Sequence, residues 1–299
     1  MRANSMCISC FVSKQEKMIR DFTDDEKKSS YMHQVLEILY HHGQTESSPA
    51  LAEKINELYY EFWGKGEDYT QAKQQYNKLL LEKESTIEEQ IRTTGDYIKE
   101  CIKYVCAANY IDFSAVENVN EQTFEKLLEK AGDATISEGE YQHFCEDLKA
   151  AKKLVYLADN CGEIVLDKIF IEFLKEYYPG LQITVIVRGK DVINDATMKD
   201  AQEVGLTELV SCMGNGNGAP GSVVTRFSEE ARQVLLDADV IISKGQGNFE
   251  SLYGEGLNPY YMFLCKCELF VRRFGLTQYE SVFVKEERIK TDAGLSRSN

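Results

Sequence analysis

Two periodicities divide the chain. From about Asp21 to Leu148, apolar residues recur at three- and four-residue steps, as in Met32, Val35, Leu36 and Leu39 and again in Leu79, Leu80, Ile87 and Ile91. This is the spacing of amphipathic helices. Asp68 or Thr70 offers a cap for one helix, on which Lys73 and Asn77 share a face four residues apart. A second long helix is expected over Thr86–Ala107, and another near Glu140–Lys152. After Lys153 the texture changes, and short β-rich runs alternate with helix-length amphipathic stretches. Lys153–Ala158, Ile183–Val187, Glu208–Met213, Val240–Ser243 and Ser281–Lys285 read as strands. Glu163–Tyr177, Thr197–Val204, Ser228–Asp237 and Pro259–Phe274 read as helices. The β-α-β-α order predicts an α/β fold with a doubly wound, largely parallel sheet, an α/β/α sandwich of Rossmann-like form. It follows an all-helical domain, with the expected boundary between residues 1–150 and 151–299 just after the polar stretch Ala131–Glu138. The final residues, GLSRSN, are expected to fray.

Composition narrows the partners. At 299 residues and 43% hydrophobic content the chain can bury a sizeable core. With 34 Lys and Arg against 49 Asp and Glu, the net charge of −15 repels a phosphate backbone, so nucleic acid is not an expected partner. The longest apolar runs, Leu154–Ala158 and Ile183–Val187, are strand-sized, far below the roughly 18–20 residues that span a bilayer, so no membrane partner is expected either. The amino-terminal apolar stretch is too short for a signal peptide, and a cytoplasmic location is the expectation. Nine cysteines, an odd number, fit reduced thiols better than a disulfide framework. All four histidines lie in the helical half, which argues against a zinc hydrolase site or a catalytic triad there.

In a doubly wound sheet ligands bind outside the carboxyl ends of the strands. The first strand runs into Asp159-Asn160-Cys161-Gly162-Glu163. One of its oxygen-bearing side chains could cap the next helix; alternatively, Asp159 and Asn160 are hard-cation ligands beside a helix N-terminus that can hold a phosphate. Asp195, after the second strand, is either another cap or a third oxygen ligand. Arg188 either adds positive charge beside that site or forms a surface salt bridge. The fourth strand ends in Lys244-Gly245-Gln246-Gly247-Asn248-Phe249-Glu250, whose glycines and lysine read as a phosphate clamp. Gly214–Gly221 reads as a mobile lid or long turn, and Cys7-x-x-Cys10 as structural or incidental.

Taken in order, these motifs resemble the metal-dependent damage-control phosphatases, formerly the domain of unknown function 89 family, in their stand-alone microbial form. The matching residues are Cys7-x-x-Cys10, Asp68-Tyr69-x-x-x-Lys73-x-x-x-Asn77, Asn109-x-x-Asp112-Phe113, Asp159-Asn160-x-Gly162-Glu163, Val187-Arg188-Gly189, Asp195-Ala196-Thr197, Lys244-Gly245-x-x-Asn248-Phe249-Glu250 and Lys266-Cys267-Glu268. They span nearly the whole chain. The pattern departs from the family's at Ala108 and Cys161, neither of which is a metal ligand. The resemblance implies a phosphatase acting on sugar phosphates, phosphopantetheine-like compounds or damaged phosphometabolites, with a small phosphorylated metabolite as partner. It implies one divalent metal, manganese, cobalt, nickel or magnesium, on Asp159, Asn160 and Asp195. It implies phosphate contacts from Lys244, Asn248 and Lys266, with Gly162 and Glu163 also at the phosphate-binding position, and a substrate pocket of Asn109, Asp112 and Arg188 with the helical domain closing over the strand ends. Asp159 could serve as ligand or as nucleophile. Two rival readings are a metabolite-sensing module without turnover and an S-adenosylmethionine-dependent carboxyl methyltransferase; the latter lacks the glycine spacing expected for its cofactor.

Overall fold

The computed structural model describes residues 1–64, 66, 68–112 and 120–289. Phe113 and the terminal residues expected to fray lie outside them. Seven helices come first: α1 (Ser5–Ile19), α2 (Asp25–His42), α3 (Ser48–Trp63), α4 (Thr70–Arg92), α5 (Tyr97–Ala108), α6 (Glu121–Glu129) and α7 (Glu138–Ala150). Then follow β1 (Lys153–Leu157), α8 (Glu163–Tyr177), β2 (Gln182–Val187), α9 (Met198–Glu203), α10 (Leu206–Leu209) and β3 (Ser211–Gly214). The chain continues through α11 (Glu229–Leu236), β4 (Val240–Lys244), α12 (Gln246–Leu252), β5 (Tyr260–Leu264), α13 (Glu268–Phe274) and β6 (Ser281–Lys285). The six strands lie in the order β3-β2-β1-β4-β5-β6. All pairs are parallel except β5 with β6. The strand order reverses between β1 and β4, which opens a crevice at their carboxyl ends.

Alternation along each strand feeds two cores. Leu154, Tyr156, Val185, Ile242 and Met262 point to one face and pack with α4–α8, while Val155, Leu157, Ile186, Ile241 and Tyr261 pack on the other with α11–α13. A fully buried side chain such as Phe170 contributes about 1.5–3 kcal/mol to this arrangement. Helices α1–α3 build a third cluster around Tyr31 and Leu51. The expected boundary near residue 150 therefore marks a change of secondary structure rather than of core, because α4–α7 share the largest core with the sheet.

Several elements differ from expectation. The helix expected over Thr86–Ala107 is broken into α4 and α5, because Thr93 and Thr94 hydroxyls donate to the Gln90 and Ile91 carbonyls and Asp96 caps the next helix at Lys99 N–H. Residues 260–264 form a strand, not the start of a helix; the run Tyr-Tyr-Met-Phe-Leu is buried on both faces, so it carries no periodicity. The strand expected at Glu208–Met213 begins only at Ser211, after the helical turn α10. The loop expected after β4 is helix α12, entered through Gly245 at φ +80°. The glycine-rich segment 214–221 is a fixed turn: Asn215 Oδ1 accepts from Gly189 and Asn217 N–H, and Asn217 Oδ1 accepts from Ala219 N–H. All nine cysteines are free thiols. No helix among the described residues is long and apolar enough to cross a membrane.

Candidate active site

The loops after β1 and β2 are joined by backbone hydrogen bonds. Ala196 N–H donates to the Asp159 carbonyl at 2.8 Å, Cys161 N–H donates to the Asn194 carbonyl at 2.8 Å, and Asn160 pairs with Asp195 in a short antiparallel bridge. This brings Asp159, Asn160 and Asp195 to one place at the crevice. Ile193, two residues before Asp195, holds a φ of +45°, unusual for a β-branched residue and a mark of local strain. The capping alternatives fail. Helix α8 begins at Gly162 without a side-chain cap, and α9 is capped by Thr197 together with Asp200.

Arg188 is 2% exposed and joins the two carboxylates: its Nε donates to Asp195 Oδ2 at 2.5 Å and its Nη2 to Asp159 Oδ1 at 3.2 Å. It is a buried ion pair, not a surface one. Asp159 Oδ2 accepts from Asn109 Nδ2 at 2.9 Å and Asn160 Nδ2 at 2.7 Å. The same two amide nitrogens donate to Glu163 Oε2 at 3.0 and 3.1 Å. With its amide nitrogen so engaged, Asn160 keeps its Oδ1 for an external ligand. Beneath lies Lys244, whose three ammonium hydrogens have three acceptors: Glu163 Oε1 at 2.6 Å, Asp167 Oδ1 at 2.7 Å and the Val105 carbonyl at 3.2 Å. Across the crevice Lys266 Nζ donates to Asp112 Oδ2 at 2.6 Å, and its backbone N–H donates to Gln246 Oε1 at 2.6 Å.

Four of the expected phosphate contacts are therefore placed differently. Lys244 and Glu163 face each other below the crevice. Asn248 Nδ2 donates to the Lys244 and Ala158 carbonyls, and its Oδ1 accepts from Ser222. Gly162 N–H donates to Asn77 Oδ1 at 2.6 Å, and the next N–H groups of α8 donate to Cys161, Asn160 and Gly162 carbonyls, so this helix start has no N–H left for an anion. Lys266, Arg188, Asn109 and Asp112 do line up with the metal candidates. Residues that sequence reasoning left without a role include Asp167 and Asp200. The first sits four residues after Glu163 on α8, and the second completes the cap three residues after Thr197; both spacings are visible in the sequence.

Asn77 ties the helical half to this site. Its Oδ1 accepts from Gly162 N–H while its Nδ2 donates to Asp200 Oδ1 and Glu203 Oε2, each at 3.1 Å, beside the 2.8 Å pair of Lys73 with Asp200. Asn77→Ala is expected to destabilise the protein by about 1–3 kcal/mol by stranding buried partners. Urea unfolding reads this directly, and a loss below about 0.5 kcal/mol would refute it.

Charge sets the chemistry. Among the described residues, six buried carboxylates here (Asp112, Asp159, Glu163, Asp167, Asp195 and Asp200) meet four buried cations (Lys73, Arg188, Lys244 and Lys266). Counted with every group ionised, the formal excess is two negative charges. Burial, with the Glu163 and Asp195 carboxylates beside it, holds the Asp159 carboxyl well above its ordinary range. Burial pushes Asp195 up to about 6 against the pull of Arg188. Lys244 stays charged because Asp167 and Glu163 outweigh the burial that opposes it. Gly245 is bare by necessity: a Cβ there would lie 1.9 Å from Asp159 Oδ2. Two crowded buried carboxylates and one available amide oxygen are hard donors that suit a divalent cation. No group of three His, Cys, Asp or Glu ligands occurs among the described residues, so such a site depends on the Asn160 oxygen.

The chain is similar to several known proteins. A damage-control phosphatase of Archaeoglobus fulgidus is 28% identical over 283 residues, covering 92% of this chain and 96% of that protein. A damage-control phosphatase of Pyrococcus horikoshii is 26% identical over 256 residues, covering 84% and 86%. An uncharacterized protein of Methanocaldococcus jannaschii is 26% identical over 290 residues, covering 93% and 94%. The crystal structure of a DUF89 family protein from Pyrococcus horikoshii shares the fold, with a TM-score of 0.78 at 23% identity over 96% of this chain and 99% of that one. The model of the damage-control phosphatase ARMT1-like domain matches residues 3–282, and the chain belongs to that family.

Proposed function

We propose that the protein is a metal-dependent phosphatase that hydrolyses small phosphomonoesters such as sugar phosphates, phosphopantetheine-like compounds or damaged phosphometabolites. The observation that carries this reading is the pair of buried carboxylates, Asp159 and Asp195, zipped together at the strand ends within a cluster in which buried carboxyl groups outnumber buried cations by two. Asp159, Asn160 Oδ1 and Asp195 would hold the metal, which when bound polarises a phosphoryl oxygen and activates water. Arg188 fixes the orientation of both carboxylates. Asn109 and Asn160 hold Asp159 Oδ2 and Arg188 holds its Oδ1, so the carboxylate is kept in a set geometry beside Asp195. Lys266, buried and steadied by Asp112, brings positive charge to the same crevice and stabilises the charge that develops on the transferring phosphoryl group. Glu163 and Lys244 act one step back, by holding the two amides in place.

Chelator-stripped protein is expected to release no phosphate from p-nitrophenyl phosphate until manganese, cobalt, nickel or magnesium is added. A panel of sugar phosphates then ranks substrates. Release that is the same before and after metal addition would overturn the reading.

A further inference from the structure

Arg188 also lines a cleft of about 240 Å³, with Gly189, Lys190, Asp191, Thr197, Met198, Lys199 and Gly214. It shares the Arg188 wall with the carboxylate pair. The protein carries a net charge of −15, and most of its lysines and arginines are paired, yet Lys190 and Lys199 are exposed and make no ion pair with any described residue. The one carboxylate on the cleft, Asp191, has Lys73 at 3.4 Å. The cleft's base is rigid. Gly189 and Lys190 N–H both donate to the Asn217 carbonyl, and a Cβ on Gly189 would lie 2.3 Å from Gly216 N.

We propose that this cleft is a second anion subsite. It takes a second phosphate or carboxylate group on the substrate whose phosphoryl group lies at Asp159 and Asp195, so the preferred substrates are phosphoesters with two anionic ends. The inference rests on the phosphatase reading. Asp191 and the crowded carboxylates beyond Arg188 keep the cleft from being a general anion trap, and Lys190 and Lys199 supply the selectivity.

The test compares glucose 1,6-bisphosphate with glucose 1-phosphate, and 3-phosphoglycerate with glycerol 3-phosphate, which separates a second phosphate from a second carboxylate. Binding is measured by calorimetric titration in the presence of chelator, and turnover by phosphate release with metal. The wild-type protein is expected to prefer the doubly anionic member of at least one pair by about tenfold, the effect of two exposed charge contacts. In Lys190→Ala/Lys199→Ala the preference is expected to fall to within about twofold, and in Lys190→Arg/Lys199→Arg to persist. Both lysines are exposed, and an unchanged melting temperature confirms folding. No preference in the wild type, or a preference that survives the double alanine variant, overturns the subsite. Absence of turnover with the binding preference intact overturns the phosphatase reading and leaves the subsite standing.

Discussion

Asp159→Ala and Asp195→Ala are each expected to lower metal-stimulated phosphate release by about a thousandfold or more, the scale on which electrostatic and metal-ion catalysis operate. Each variant removes one of only two carboxylates in the proposed donor set, and the Asn160 oxygen alone carries no charge to hold a divalent cation. The fold is expected to survive. Removing Asp159 takes one acceptor from the Asn109 amide, the Asn160 amide and Arg188 Nη2, but both amides still reach Glu163 and Arg188 Nε still reaches Asp195. It also relieves the crowding of buried like charges that raises the Asp159 carboxyl. Metal-free Asp159→Ala is therefore expected to unfold within about 1 kcal/mol of the wild type in urea, a small change because the relieved crowding offsets the lost hydrogen bonds. Activity within tenfold of the wild type in either variant would remove these carboxylates from the proposed mechanism.

Lys244→Met is expected to destabilise the protein by about 3–5 kcal/mol, the penalty for breaking a buried ion pair on one side. Glu163 and Asp167 are then left facing each other with no cation between them. Asp167 has little in reserve: its Oδ1 already takes the Lys244 ammonium and the Tyr156 hydroxyl, and its Oδ2 has no partner. Burial pushes this carboxyl up to about 6 even with Lys244 present. Lys244→Met/Glu163→Gln is expected to recover part of the loss, because one of the stranded charges goes with it. Denaturant unfolding of the three proteins decides the matter, and a single-variant loss below about 1 kcal/mol would show that the network is not what holds this layer.

Much of this was legible from strand ends. β1, β2, β4 and β6 were visible as β-rich runs, and the rule that chemistry gathers after such strands led to Asp159, Asn160, Asp195 and Arg188 together. The direction of a side chain was harder to read than its position. Lys244 is the last residue of β4 and shares the face of Ile242, two residues earlier, which belongs to the core beneath α5 and α8. Period-two alternation thus sends its ammonium into that layer and not outward. Asn248 and Gly162 were misread for a related reason: whether a donor is available depends on which distant acceptor takes it, and Asn77 lies 85 positions from Gly162. β5 was hidden by being buried on both faces, which erases the contrast that pattern reading relies on.

The burial of α5 against the sheet has a consequence for how this protein can be divided. Ile102, Val105 and Cys106 are fully buried in the core shared with β4, β5 and β6, and Asn109 at the helix end donates into the Asp159 carboxylate. The ligand-bearing strands thus have one face and one hydrogen-bond donor supplied from the first half of the chain. They do not form a portable module: a graft of residues 151–299 onto another scaffold would carry the metal candidates but bare an apolar sheet face and leave Asp159 without one of its two amide supports.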